Sequence, residues 1–166
     1  MPDALKIRRL SGADAAAYRT VRLEALRGHP DAFRSSFEDD EPLPLDYWVA
    51  HLDGQFVLGG GRVGQALGAM AGLAIDARSK TRHRGYLVSV FVTPDLRGTG
   101  LAAALVAGVI AEARRELEEL LLVVSTHNAP AIALYRRLGF EDRWTETRSL
   151  KFSETYADEM TMSLRF

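Results

Sequence analysis

Cysteine is absent from the chain. That absence excludes disulfides, thiolate metal sites and a cysteinyl acyl-enzyme. Charge of either sign is not in excess, because 21 basic residues face 22 acidic ones for a formal net charge of -1. No general positive field draws the protein to nucleic acid or to an anionic membrane surface, so any anion site must be local. Long hydrophobic runs are lacking too. The opening MPDALKIRRL has no apolar signal core, and LAAALVAGVIAEA is too short and too soon followed by charge to span a bilayer. These features describe a soluble, cytoplasmic protein. The four histidines are scattered without metal-ligand spacing, and no metal is expected.

What is present suits one globular domain over residues 1–166: 47% of the residues are hydrophobic, enough for a core that folds alone. LKIRRL reads as a strand. From Ala13 to Leu26 the residues Ala17, Val21 and Ala25 recur at helical spacing, until Gly28 and Pro30 stop the run. Residues 31–46 read as loop with a short helix, and LDYWVAHL as helix. QFVLGGGRV and QALGAMAGLAI predict a hairpin turning near Arg62 to Gly64. GYLVSVFV is a buried strand. Leu101, Leu105, Val109, Ala113 and Leu117 mark one face of a long helix. LLLVVS is a strand, Ala129 to Leu138 a short helix closed by Gly139, and two strands near 140–147 and 158–166 finish the chain around a polar loop. The order implies a mixed α/β domain with one central sheet.

Two segments carry chemistry. In VTPDLRGTGLAAALV, Arg97, Gly98 and Gly100 lie between a strand and a helix. This arrangement leaves unpaired amides at a helix N-terminus, where glycine lets a phosphate come close. A plain connecting turn would have the same composition. The P-loop is excluded because Leu101 follows Gly100 where Lys-Ser/Thr would be needed, and a dinucleotide fingerprint would require three glycines near the first strand of a βαβ unit. In STHNAPAIALYRRLGFE, Asn128 and Tyr135 are seven residues apart, nearly two helical turns and about 10 Å along an axis. Each side chain also has a structural reading, Asn128 as an N-cap and Tyr135 as a core residue with its hydroxyl at the edge.

Together these segments resemble the GNAT superfamily of N-acetyltransferases. Arg97, Gly98, Thr99, Gly100, Leu101 and Ala102 match the family's Q/R-x-x-G-x-G/A loop. Asn128, Ala131, Tyr135, Gly139 and Phe140 match its N-x-x-A-x-x-x-Y motif with the following G-F. The resemblance implies a mixed, mostly antiparallel sheet flanked by helices, whose fourth and fifth strands splay to admit acetyl-CoA as cosubstrate. The amides from Arg97 to Ala102 would hold the pyrophosphate, Val90 and Val92 would pair with the pantetheine arm, and Asn128 would bond it. Tyr135 would stand beside the sulfur.

The implied function is acetyl transfer to a primary amine of a small molecule or peptide within a ternary complex. Tyr135 would assist the departing thiolate, and a backbone N–H near Val92 would meet the oxyanion. Many relatives carry a glutamate early in the fourth strand, where Tyr86 stands here. A water chain through Ser89 or Ser125 is the preferred base, with His83, Asp76 and Glu146 as further candidates. The acidic run Glu38 to Glu41 reads either as a solvated face or as an attractor for a cationic amine. Phe33, Phe37, Tyr47 and Trp48 are either acceptor-pocket walls or core. A non-catalytic acyl-CoA sensor on the same fold is the alternative function. No nucleic-acid or membrane partner is expected, and a homodimer is left open.

Overall fold

A computed structural model describes residues 4–166, and the first three residues of the opening segment lie outside the described residues. Strand β1 (Leu5–Arg9) leads through a 3-10 turn into helix α1 (Ala15–Gly28). Two shorter helices, α2 (Phe37–Asp40) and α3 (Leu45–Gly54), precede strands β2 (Phe56–Arg62), β3 (Ala69–Ile75) and β4 (Arg84–Val92). Helix α4 (Leu101–Ala113), strand β5 (Glu119–Ser125), helix α5 (Ala129–Arg137) and the hairpin of β6 (Glu141–Phe152) and β7 (Thr155–Arg165) follow.

The strands form one sheet in the order β1-β2-β3-β4-β5-β7-β6. All neighbours are antiparallel except β4 and β5, whose parallel pairing needs the crossover that α4 supplies. That pairing is brief: Arg84, Gly85 and Tyr86 pair with Glu119, Leu120 and Leu121, and no register continues beyond them. From Leu87 onward the two strands diverge and leave a cleft in the middle of the sheet.

Side-chain alternation distributes the core to both faces of the sheet. On one face Leu101, Leu105, Val106 and Val109 of α4, with Ile132 and Tyr135 of α5, pack on Leu58, Ala71, Leu73, Leu122 and Met162. On the other, Tyr18, Val21 and Ala25 of α1 meet Trp48 and Leu52 of α3 over Val57, Met70 and Phe91. Leu105 is wholly buried, so Leu105→Ala would cost about 2–5 kcal/mol through lost contacts and a cavity.

Three boundaries differ from the sequence expectation. The α1 stripe is Tyr18, Val21 and Ala25, while Ala17 is exposed, because the bulky ring takes the core position one residue later. Helix α4 stops at Ala113. Leu117 stays buried through a single further turn, its N–H donating to Ala113 across 2.9 Å. The polar loop expected between the last strands is itself paired, since Leu150, Lys151 and Phe152 face Ala157, Tyr156 and Thr155. An exposed ladder satisfies its backbone without an apolar run, which is why composition reads it as a loop.

Candidate active site

The loop after β4 is built to present amides. Pro94 opens a 3-10 turn, Leu96 anchors it in the core, and the Thr99 hydroxyl donates to the Leu96 carbonyl at 2.6 Å. Gly98 and Gly100 then take φ of 73° and 85°, the left-handed region that glycine enters without steric cost. The first helical bond of α4 is Ala104 N–H to the Gly100 carbonyl, and the six consecutive amides from Gly98 to Ala103 meet no acceptor among the described residues. Such a row at the positive end of a thirteen-residue helix is an anion cradle. Leu101 contributes only its amide, because its side chain is in the core.

A cavity of about 640 Å³ runs from this cradle along the cleft. Arg97, Arg137 and His29 give its wall a basic character, and Val90, Val92, Ala102 and Ala131 continue it. Thr93 donates its N–H to Gly68 on the β3 side, so the two-residue alternation turns the polar groups of Val92 to the open edge. The Val92 carbonyl accepts from Arg97 Nε at 3.2 Å, and the same guanidinium approaches His29 Nε2 at 3.0 Å. Free amides, a basic wall and an unpaired strand edge fit the pyrophosphate and the amide-bearing arm of acetyl-CoA.

A second cavity, of about 550 Å³, adjoins the first. The two share Phe33, Val90, Asn128 and Tyr135. Asn128 caps α5 with Oδ1, which accepts from Ala131 N–H at 3.3 Å, and its NH₂ has no partner among the described residues. Its capping and cleft-lining readings therefore hold together. Tyr135 is likewise both core and cleft: its ring meets Phe140 edge-on at 5.9 Å, and its hydroxyl has no hydrogen-bond partner among the described residues. Burial pushes its phenol up to about 12, which keeps it protonated throughout the neutral range.

Ser89 and Ser125 both line the second cavity. Between Met70 and Gly72 of β3 the register against β4 slips by one, and Ser89 sits in this bulge with φ of 56°. Its hydroxyl accepts from Arg22 Nη1 at 2.8 Å, and Arg22 Nε donates to Asp40 at 2.9 Å. Glu146 lines the cavity on β6, and Tyr86 stands at its rim, 40% exposed. His83 and Asp76 line neither cavity. His83 is exposed, and Asp76 pairs with Arg78, which holds its carboxyl well below the usual carboxylate range.

The acidic run is divided by its own helix. Asp39 takes part in the capping box with Ser36, and Asp40 turns inward to Arg22. Of the four aromatics, only Phe33 reaches the second cavity. Phe37 lies under Arg27, Trp48 is in the core, and Tyr47 is exposed.

Sequence reasoning missed Glu159. It lies opposite Ser125 on β5 and Glu146 on β6, with its side chain 7% exposed. Its Oε2 accepts from Arg34 at 2.9 Å and from the Ser149 hydroxyl at 2.8 Å, while Oε1 has no partner among the described residues. The available signal was the polar alternation Glu159, Thr161, Ser163 beside Met160 and Met162.

No described helix is long and apolar enough to cross a membrane. The chain is 32% identical over 153 residues to the mycothiol acetyltransferase of Saccharomonospora viridis, covering 89% of this chain and 49% of that protein. It thus spans about half the length of the curated relatives it matches. Among solved structures, the ribosomal-protein-alanine N-acetyltransferase of Brucella melitensis superposes with a TM-score of 0.82 at 27% identity, over 97% of this chain and 99% of that one. A Salmonella typhimurium protein, solved with its cofactor acetyl-CoA, gives a TM-score of 0.85 at 24% identity, over 98% of this chain and 94% of that one. The model of the Acetyltransferase (GNAT) family matches residues 17–140, and the chain belongs to that family.

Proposed function

We propose that this chain transfers an acetyl group from acetyl-CoA directly to a primary amine of a small molecule or peptide. One observation carries the reading: two cavities adjoin and share Val90, Asn128 and Tyr135 in their linings. A donor threaded along the amide cradle and an acceptor entering past Glu159 would meet there. The names of the relatives point to both kinds of acceptor, a small molecule in the mycothiol acetyltransferases and a protein in the ribosomal-protein-alanine N-acetyltransferase of Brucella.

Acetyl-CoA supplies an acyl carbon activated as a thioester. The amine nitrogen bonds to that carbon, the carbon–sulfur bond breaks, and the sulfur leaves with the bonding pair. Val92 N–H, on the open edge of β4, faces the carbonyl oxygen as charge collects on it. An ammonium gives one proton to solvent before it attacks, and Glu159 Oε1 takes the second, which the nitrogen loses once it is bonded to the acyl carbon, directly or through a water held by Ser125 or Ser89.

Tyr135 donates a hydrogen bond to the departing sulfur. A thiol titrates near about 8.5, so its thiolate is a weaker base than the Tyr135 phenolate, which titrates at about 12. The phenol therefore stabilises the thiolate without giving up its proton. The proton taken from the amine ends in solvent or on the free thiol. A carboxylate with an open oxygen in the acceptor cavity favours this enzyme over a non-catalytic sensor, the reading that Tyr86 in the strand position supports.

Coenzyme A release with a broad amine panel, together with an acceptor mass increase of one acetyl group, tests the proposal. Tight acetyl-CoA binding without turnover of any amine would establish the sensor instead.

A further inference from the structure

The cavity that runs from the amide cradle carries three basic side chains, and no aspartate or glutamate among the described residues lines it. Arg97 comes from the loop, Arg137 from α5, and His29 stands just past the end of α1. Two of the three touch, with Arg97 Nη2 at 3.0 Å from His29 Nε2. A guanidinium stays charged in proteins and has donors only, so Nε2 must accept with its lone pair. His29 is therefore neutral in this arrangement, with its proton on Nδ1.

We infer that His29 is a further ligand of the acetyl-CoA pyrophosphate and takes up a proton on Nε2 as the cosubstrate binds; this rests on the reading of the loop as the pyrophosphate cradle. The imidazole is held in place beforehand. Its ring packs at 53° on Phe91 of β4, with centroids 5.8 Å apart, and Phe91 is nearly buried. Arg97 Nε donates to the Val92 carbonyl at 3.2 Å, which ties the guanidinium to the same strand.

The charges around His29 decide its protonation. On its own segment, Arg27 lies over the Phe37 ring at 4.3 Å and Asp31 does not line the cavity; on the loop, Asp95 does not line it either. Arg97 and Arg137 remain, both positive. With the cradle empty, a proton on Nε2 would break the Arg97 contact and set a third cation beside two others. Next to a pyrophosphate the balance inverts. Phosphate oxygens accept and never donate, so the Arg97 N–H that pointed at Nε2 turns to one of them and leaves the ring nitrogen facing an anion. One proton from solvent then makes Nε2 a charged donor to the same group. A histidine that only props Arg97 undergoes no such change. Because the bound state holds the extra proton, affinity must rise as pH falls through the range in which histidine changes charge.

Calorimetric titration with acetyl-CoA at pH 7, in two buffers of different ionisation enthalpy, counts the protons taken up. The 3′-phosphate of the cosubstrate itself titrates near about 6, so the quantity read is the difference between the wild type and His29→Gln, whose amide oxygen still accepts from Arg97 but cannot be protonated. The expected difference is about half a proton, and from pH 8 to pH 6 the wild-type affinity should rise about fivefold more than that of the variant. His83→Gln alters an exposed histidine that lines neither cavity and should match the wild type. Imidazole nitrogen NMR gives a second readout: His29 should pass from the neutral form, protonated at Nδ1, to the doubly protonated form on saturation with acetyl-CoA. Equal proton uptake in the wild type and His29→Gln, or a His29 that stays neutral in the saturated protein at pH 6, overturns the inference and leaves His29 as a prop for Arg97. Absence of acetyl-CoA binding by the wild type overturns the cradle reading itself, and this inference with it.

Discussion

Arg22 on α1 donates to the Ser89 hydroxyl of β4 at 2.8 Å, joining residues 67 positions apart at the bulge where the strand turns toward the cleft. The positive φ of Ser89 is uncommon for a residue with a side chain. Arg22 is itself held by Asp40, and both side chains of that ion pair are nearly buried, at 12% and 10% exposed. The acidic run therefore supports the shape of β4 from behind.

Asp40→Asn leaves the Arg22 cation without its counter-charge in a mostly buried position, and the expected loss is about 3 kcal/mol in denaturant unfolding. Glu38→Gln, on the exposed side of the same short helix, should stay within about 0.5 kcal/mol. Undiminished stability in Asp40→Asn with an acceptor KM raised at low salt would instead make the run an attractor for cations.

The loop side of the candidate site was legible because its backbone geometry is local. Glycines before an apolar helical stripe and an asparagine before a short helix each announce a backbone geometry within a few residues, and Gly98, Gly100 and Asn128 fall where that geometry is needed. The acceptor side is assembled across the chain. Ser89 interrupts an apolar strand without any turn residue to mark a bulge. Arg22 lies among Tyr18, Val21 and Ala25 on a helix whose buried face is otherwise apolar. Glu159 becomes a cavity-lining residue only when β7 is set beside β5 and Arg34 reaches it across 125 positions. Such pairings depend on strand order, which periodicity does not encode.

Gly100 and Gly28 form a controlled comparison. A Cβ added at either meets nothing within 4 Å, but only Gly100 has a positive φ, of 85°. Gly100→Ala should force the cradle out of the left-handed region at a cost of about 1–2 kcal/mol, and acetyl-CoA affinity should fall by about tenfold or more in calorimetry. Gly28→Ala, at the last position of α1, should be neutral or stabilising by about 0.4–1 kcal/mol. Full affinity in a folded Gly100→Ala protein would remove the pyrophosphate from this loop.

Arg97 folds back onto the Val92 carbonyl and His29, so the side chain proposed to attract phosphate also covers an acceptor on the strand edge. Arg97→Gln removes a cation from the cradle while freeing Val92. Net affinity for acetyl-CoA should fall, and its dependence on ionic strength should become shallower, since screening acts on the charge that has been removed. Tighter binding in Arg97→Gln would show that covering Val92 outweighs attraction.

Tyr135→Phe tests the leaving-group role and the buried phenol together. The substitution keeps the ring against Phe140 and removes a hydroxyl that has no hydrogen-bond partner among the described residues, so stability at neutral pH should change little. If the hydroxyl meets the sulfur as negative charge develops, kcat should fall by about 10²–10³-fold with acetyl-CoA affinity nearly unchanged. The titration gives a second readout. Tyr135 ionises near pH 10 when unfolded and at about 12 when folded, so the raised value contributes stability that is complete below pH 10 and is lost as pH rises through 12. The wild type should lose stability over that window by about 2–3 kcal/mol more than Tyr135→Phe does, because each tenfold difference in an ionisation constant corresponds to about 1.36 kcal/mol. Its kcat should show no alkaline decline from this group below pH 10, because the phenol remains protonated there. Equal kcat for the two proteins, measured in single turnovers where chemistry limits the rate, would make Tyr135 a packing residue and assign thiolate departure to another group.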